Sequence, residues 1–176
     1  MTVADSSRDN PTRFVGSASG REGWQVVSMG TIAGAPIPQV ACVTVVEGER
    51  ARDVAGARWV LRGVTRSVQY ITTAEEERLA SRAPPLDRPQ ATCAALLPVR
   101  KTRAWWELPQ PERRRIFQEA SRHAETGLRY LPAVARRLYH AREFGEGFDF
   151  FTWFEFSFED VRTFDTLLGE LRETEE

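Results

Sequence analysis

The sequence predicts an α+β protein whose second half runs β-α-β-β-α, one strand short of the ferredoxin-like unit β-α-β-β-α-β. Three observations carry that prediction. Short β-branched and aromatic runs recur between Gly- and Pro-rich turns. Two stretches of the second half hold apolar residues at helical spacing, and two late strands flank the glycine turn "GEG". A chain of 176 residues with 41% hydrophobic content suits one domain, or two small ones sharing a core.

The elements follow in order. Residues 1–21 are polar and rich in Ser, Gly and Asp, and read as a flexible leader. "WQVVSMGTI" (24–32) and "QVACVTVVEG" (39–48) read as strands around the turn "GAPIP". "RWVLRGVTRSVQYI" (58–71) is a third, interrupted at Gly63; "TTAEEERLAS" (72–81) is a short helix, and the prolines of "RAPPLDRP" (82–89) make a loop. "TCAALLPVRK" (92–101) is a strand. "PERRRIFQEASRHAETGL" (111–128) is a helix, with Pro111 in its first turn and Gly127 near its end. "ARRLYHAREF" (135–144) and "FDFFTWFEF" (148–156) are strands. "FEDVRTFDTLLGELRE" (158–173) closes as an amphipathic helix with Phe158, Val161, Phe164, Leu167, Leu168 and Leu171 on one side.

Composition excludes several functions. With 24 basic and 25 acidic residues, net charge −1, there is no electrostatic footprint for nucleic acid. The N-terminus lacks the basic and apolar regions of a signal peptide, and no apolar run reaches membrane-spanning length. Cys42 and Cys93 are isolated, so they read as reduced packing residues of a cytoplasmic protein. Two histidines and two lone cysteines give no ligand cluster at zinc spacing, which disfavours a metal hydrolase.

Both histidines fall in "HAETGLRYLPAVARRLYH". On the 111–128 helix, Ile116, Ala120 and His123 share one apolar stripe, where a histidine is either a hydrogen-bonded core residue or a ligand. His140, in a strand beside a polar turn, reads as a solvated edge residue. Arg136 cannot share His123's helix face: thirteen residues turn an ideal helix by roughly 220°, and Pro132 ends the helix first. Arg136 therefore belongs to the next strand, either as a surface arginine or facing a ligand held between strand and helix. Trp105 and Trp106 are a binding wall or bulky core.

Lys-x-x-x-Trp-Trp at Lys101, Trp105 and Trp106, then His123, then Arg136 with Leu-Tyr-His at 138–140, resembles the chlorite dismutase family in its short-chain, dimeric branch. "WVLRGVT" (59–65) and "PPLDRPQAT" (84–92) agree with that branch. The resemblance implies an α+β barrel of two ferredoxin-like halves, a truncated one at 22–90 and a haem-binding one at 91–176, assembled as a homodimer. It implies haem b as cofactor and chlorite as substrate, converted to chloride and dioxygen. His123 becomes the iron ligand and Arg136 the catalytic cation, since a guanidinium stays charged and hydrogen-bonds oxyanions. Lys101 and Glu176 become the pair beside the ligand histidine, where a carboxylate strengthens imidazole as a donor. Trp105 and Tyr70 would line the cofactor near its propionates.

Two positions depart from the family pattern. Ala83 stands where the branch carries a glutamine that holds the arginine, and Ser67 where an asparagine faces a propionate. Members also continue past this point with a short strand, so the second half is expected to lack its last strand and Glu176 to be a frayed end. Other readings stay open: a coproheme decarboxylase or peroxidase of the same superfamily, a haem-carrying or haem-sensing dimer without turnover, or an α+β barrel oxygenase without metal.

Overall fold

A computed structural model describes residues 11–20, 22–47, 56–65, 73–117 and 122–174. The chain forms two compact units, Met1–Arg66 with Tyr139–Phe150, and Ser67–Leu138 with Phe151–Glu176.

The first unit is built on a four-stranded sheet ordered β2-β3-β1-β4, from β1 (Thr12–Ser17), β2 (Trp24–Gln25), β3 (Cys42–Glu47) and β4 (Ala57–Gly63). Strand β1 corrects the expectation of a leader over residues 1–21, because Thr12–Ser17 pairs antiparallel with both β3 and β4. Its Phe14 is fully buried, edge-on to Tyr139 at 5.1 Å. The two apolar residues Phe14 and Val15 are a weak local signal, and pairing on both sides supplies the rest. Gly16 carries no side chain because the Trp59 indole lies where a Cβ would be. The strand expected over 24–32 shrinks to Trp24–Gln25, and 26–41 form no regular structure. Of the 58–71 strand, residues 66–71 lie outside the described residues.

The turn after β6 (Ala135–His140) is a single 3₁₀ turn at Arg142–Phe144, not more strand as the 135–144 reading required. Gly145 (φ 70°) and Gly147 (φ 85°) then reverse the chain in left-handed conformations that glycine adopts without cost. The Glu146 carboxylate accepts hydrogen bonds from the Arg62 backbone N–H and Nε, tying this turn to β4.

The second unit carries a three-stranded sheet, β5 (Cys93–Val99), β7 (Phe150–Phe156) and β6, ordered β5-β7-β6 among the described residues. The helix α1 (Thr73–Arg82), the 83–92 loop, β5 and β7 agree with the sequence. Two short helices precede β6's partner helix: α2 (Arg103–Glu107), which the sequence reading missed, and α3 (Gln110–Arg115). Thr102 caps α2, its Oγ accepting from the Trp105 N–H at 3.1 Å. The single helix expected over 111–128 is broken, because α4 (His123–Arg129) starts afresh after Arg122 in a left-handed conformation (φ 46°). The last helix is α5 (Val161–Arg172), and its Phe164 and Leu167 join Val134, Phe154 and Phe156 in the core. Phe158 departs from the expected stripe: it sits in the 3₁₀ turn ahead of α5, out of helical register, and is 77% exposed.

Candidate functional site

Of the candidate residues in the second unit, Lys101 stands just ahead of α2, Trp105 lies on α2, His123 opens α4 and Arg136 lies on β6. Lys101 and Trp105 come together as the sequence motif suggests, with the Lys101 ammonium 4.7 Å from the centre of the Trp105 ring. Thr102 sets this geometry by starting α2 between them. A cavity of about 460 Å³ opens here, lined by Arg100, Lys101, Thr102, Trp105, Leu108 and Ile116. That volume lies within the range of cofactor and small-ligand pockets. Trp105 is buried in its wall, while Trp106 stands under the Arg113 guanidinium at 5.2 Å.

His123 is the first residue of α4, whereas the sequence placed it inside a longer helix. The stripe it was to share with Ile116 and Ala120 does not run through, since Arg122 breaks the register and 118–121 lie outside the described residues. Position 127 follows one turn later on the same face of α4. There Gly127 is buried, and a Cβ on it would overlap the guanidinium of Arg136. The β6 arginine therefore reaches across the layer and lies against the bare backbone of the helix that His123 opens.

His140 is not a solvated edge residue. Its backbone pairs with Val64, N–H to carbonyl in both directions (2.9 and 2.8 Å), and its ring meets Phe150 edge-on at 5.3 Å. Tyr70, Ser67 and Glu176 lie outside the described residues. Ala83 stands in the loop after α1, a methyl group with no hydrogen-bonding capacity. Cys42 and Cys93 are both free thiols.

Two residues near this site escaped the sequence reading. Gly127 was read as a helix end; its use is the close approach it gives Arg136. Glu155 was read as part of an aromatic strand, yet it is 2% exposed. Its parity with Phe151 and Trp153 was the available signal, because a carboxylate on an inward-facing strand position must be hydrogen-bonded.

Antiparallel sheets layered with short helices define a ferredoxin-like α+β protein, with a cavity beside α2 in its second unit. Residues 41–176 match the family described as chlorite dismutase, and the chain belongs to that family. It is similar to the dimeric chlorite dismutase of Nitrobacter winogradskyi, at 42% identity over 94% of this chain and 91% of that one, with a TM-score of 0.83. It is also similar to the chlorite dismutase of Candidatus Nitrospira defluvii in complex with imidazole, at 29% identity and a TM-score of 0.56. That match covers 69% of this chain and 48% of the other, so this chain spans about half the length of the Nitrospira enzyme. No helix among the described residues is long and apolar enough to cross a membrane.

Proposed function

We propose that this chain binds haem b in its second half and converts chlorite to chloride and dioxygen, with His123 as iron ligand and Arg136 as catalytic cation. One observation carries the reading: the Arg136 guanidinium lies against Gly127 of α4, one turn from position 123. The residues fit such a group. The cavity beside α2 offers Lys101 and Arg100 to carboxylates and Trp105 to a ring edge.

Haem iron, when bound, supplies the redox chemistry that breaks the Cl–O bonds and joins the two oxygens. The chain supplies the rest. His123 would hold the iron through a neutral imidazole, with Glu176 and Lys101 as the pair assigned to its other ring N–H. Arg136 attracts chlorite, orients it by charge-assisted hydrogen bonds and retains the oxychlorine fragment until the oxygens are joined. Tyr70 and Trp105 would line the haem near its propionates. The reading includes two ferredoxin-like halves at 22–90 and 91–176, a homodimer and a cytoplasmic setting. The family match supports it, as does the dimeric Nitrobacter relative.

Reconstitution with haemin tests it. A Soret band followed by oxygen release from chlorite, seen with an oxygen electrode, is the expected result. A Soret band without oxygen would leave a haem carrier or another haem enzyme of the superfamily, a reading that Ala83 favours by removing the arginine's usual partner. No haem uptake would overturn both. His123→Ala is expected to lose the band, and His140→Ala, whose ring packs on Phe150, to keep it; the reverse would exchange their roles.

A further inference from the structure

Behind β7, on the opposite side of the strand from the α5 core, one buried carboxylate joins three segments. Glu155 Oε1 accepts from the Trp153 indole N–H at 2.7 Å, and Oε2 accepts from the Asp87 backbone N–H at 2.6 Å. Asp87 has φ 61°, a left-handed conformation that costs a residue with a side chain and persists only where its surroundings hold it. The next residue carries the link onward. Arg88 Nη1 donates to the Pro132 carbonyl at 3.2 Å and Nη2 to the Ala133 carbonyl at 3.3 Å. Ala133 lies two residues before β6 and three before Arg136, with Val134 and Ala135 between them fully buried.

We propose that Glu155 is a positioning residue for Arg136, acting through Asp87 and Arg88 to fix where β6 begins. This rests on the reading of Arg136 as the anion-binding cation. The link also has a reason to matter in this chain. Position 83, in the same loop, carries a methyl group where the family resemblance would place a glutamine that holds the arginine.

The test uses Glu155→Gln in the full chain. Glutamine keeps the shape but turns one acceptor oxygen into an NH₂ group that faces a donor. In the haemin-loaded protein, fluoride affinity read from the absorption spectrum is expected to fall by roughly three- to tenfold, the scale of one hydrogen bond. In an Arg136→Ala background the same substitution should change nothing. An equal loss in both backgrounds, or none in either, overturns the inference. If Arg136→Ala alone leaves fluoride affinity unchanged, Arg136 is not the anion-binding cation and the inference falls with that reading. A second readout needs no cofactor: phenylglyoxal labelling of Arg136, followed by peptide mass spectrometry, should quicken in Glu155→Gln. Should that variant fail to fold, Arg88→Ala cuts the same link while leaving the carboxylate paired, and it should produce both effects. Unchanged labelling and unchanged affinity in Arg88→Ala would equally refute the link.

Discussion

Helices α4 and α5 belong to the same unit and pack against each other, and they are specified in different ways. Helix α5 has twelve residues and an apolar side formed by Phe164 and Leu167. Just ahead of it, the Ser157 Oγ accepts the Asp160 N–H at 3.2 Å in the 3₁₀ turn that starts it. Helix α4 has seven residues, begins after a left-handed arginine with no side-chain cap, and contains a glycine. A helix that short does not stand alone in water. Contacts from elsewhere hold it: Arg129 to Glu170 of α5 at 2.7 Å, and Arg136 of β6 against Gly127. The apolar stripe builds the first helix, and the second is shaped by what lies on it. The difference is what separates a scaffold element from one that presents a site.

The strongest way to break the comparison is through α5. Phe164 stacks on Phe156 at 4.4 Å and meets Phe154 edge-on at 5.4 Å. Phe164→Ala leaves a cavity there, and a loss of about 3–5 kcal/mol is expected. That is a large part of the stability of an ordinary domain. Urea denaturation measures it, and a loss under about 1 kcal/mol would mean that α5 does not anchor this core.

A smaller effect is expected where α4 begins. Arg122 at φ 46° occupies a region that costs a side-chain-bearing residue about 1–2 kcal/mol. Arg122→Gly removes that cost but adds about 0.4–1 kcal/mol of unfolded-state entropy. The conformational term is the larger, so a net gain of up to about 1.6 kcal/mol is expected. Thermal denaturation at fixed pH reads it. A destabilised variant would show that the arginine side chain contributes more than its backbone costs.

The same contrast explains what could be read in the sequence. Helix α5, strands β3 to β5 and β7, and the loop after α1 were legible because apolar spacing and proline encode them locally. Strand β1 was not, because two apolar residues carry its signal and its neighbours supply the rest. The break at Arg122 was hidden because the run "PERRRIFQEASRHAETGL" has helical composition throughout, and composition does not report a positive φ. Lys101, Trp105, His123 and Arg136 stood out by motif. Gly127 and Glu155 did not, because Gly127 acts through its contact with Arg136 on another element and Glu155 bonds Asp87, 68 positions away, and those contacts exist only in the fold.

Gly127→Ala probes the α4 face directly. Alanine is favoured over glycine in a helix interior by about 0.8–1 kcal/mol. Against this, its methyl group overlaps the Arg136 guanidinium, which is the movable end of a long side chain. The two effects nearly cancel, so stability should change by less than about 1 kcal/mol while the arginine is displaced. Normal unfolding with quickened phenylglyoxal labelling at Arg136 is the expected pair of results. A collapse in stability would show instead that the guanidinium is locked in place.

The smallest effect lies at the joint between the two helices, where Arg129 and Tyr130 end α4 beside Glu170. The Arg129–Glu170 pair is partly exposed, so the pair itself is worth only about 0.2–1 kcal/mol. Tyr130 is the more sensitive reporter. Its phenol is held above the ordinary value of 10.0, first by burial and then by a hydrogen bond to Glu170 and that carboxylate's charge, with Arg129 acting in the opposite sense. The folded state therefore keeps the phenol proton more firmly than the unfolded chain does. The stability this provides is complete below about pH 10 and is lost as pH rises through the folded pKa. Glu170→Gln removes the carboxylate charge, so Tyr130 should ionise at lower pH and the stability lost on raising the pH through its titration should shrink. Ultraviolet titration of tyrosinate, with Tyr130→Phe subtracted to isolate this residue, checks both the direction and the cause. An unchanged midpoint in Glu170→Gln would show that Glu170 does not act on the phenol, leaving burial to hold the end of α4 by itself.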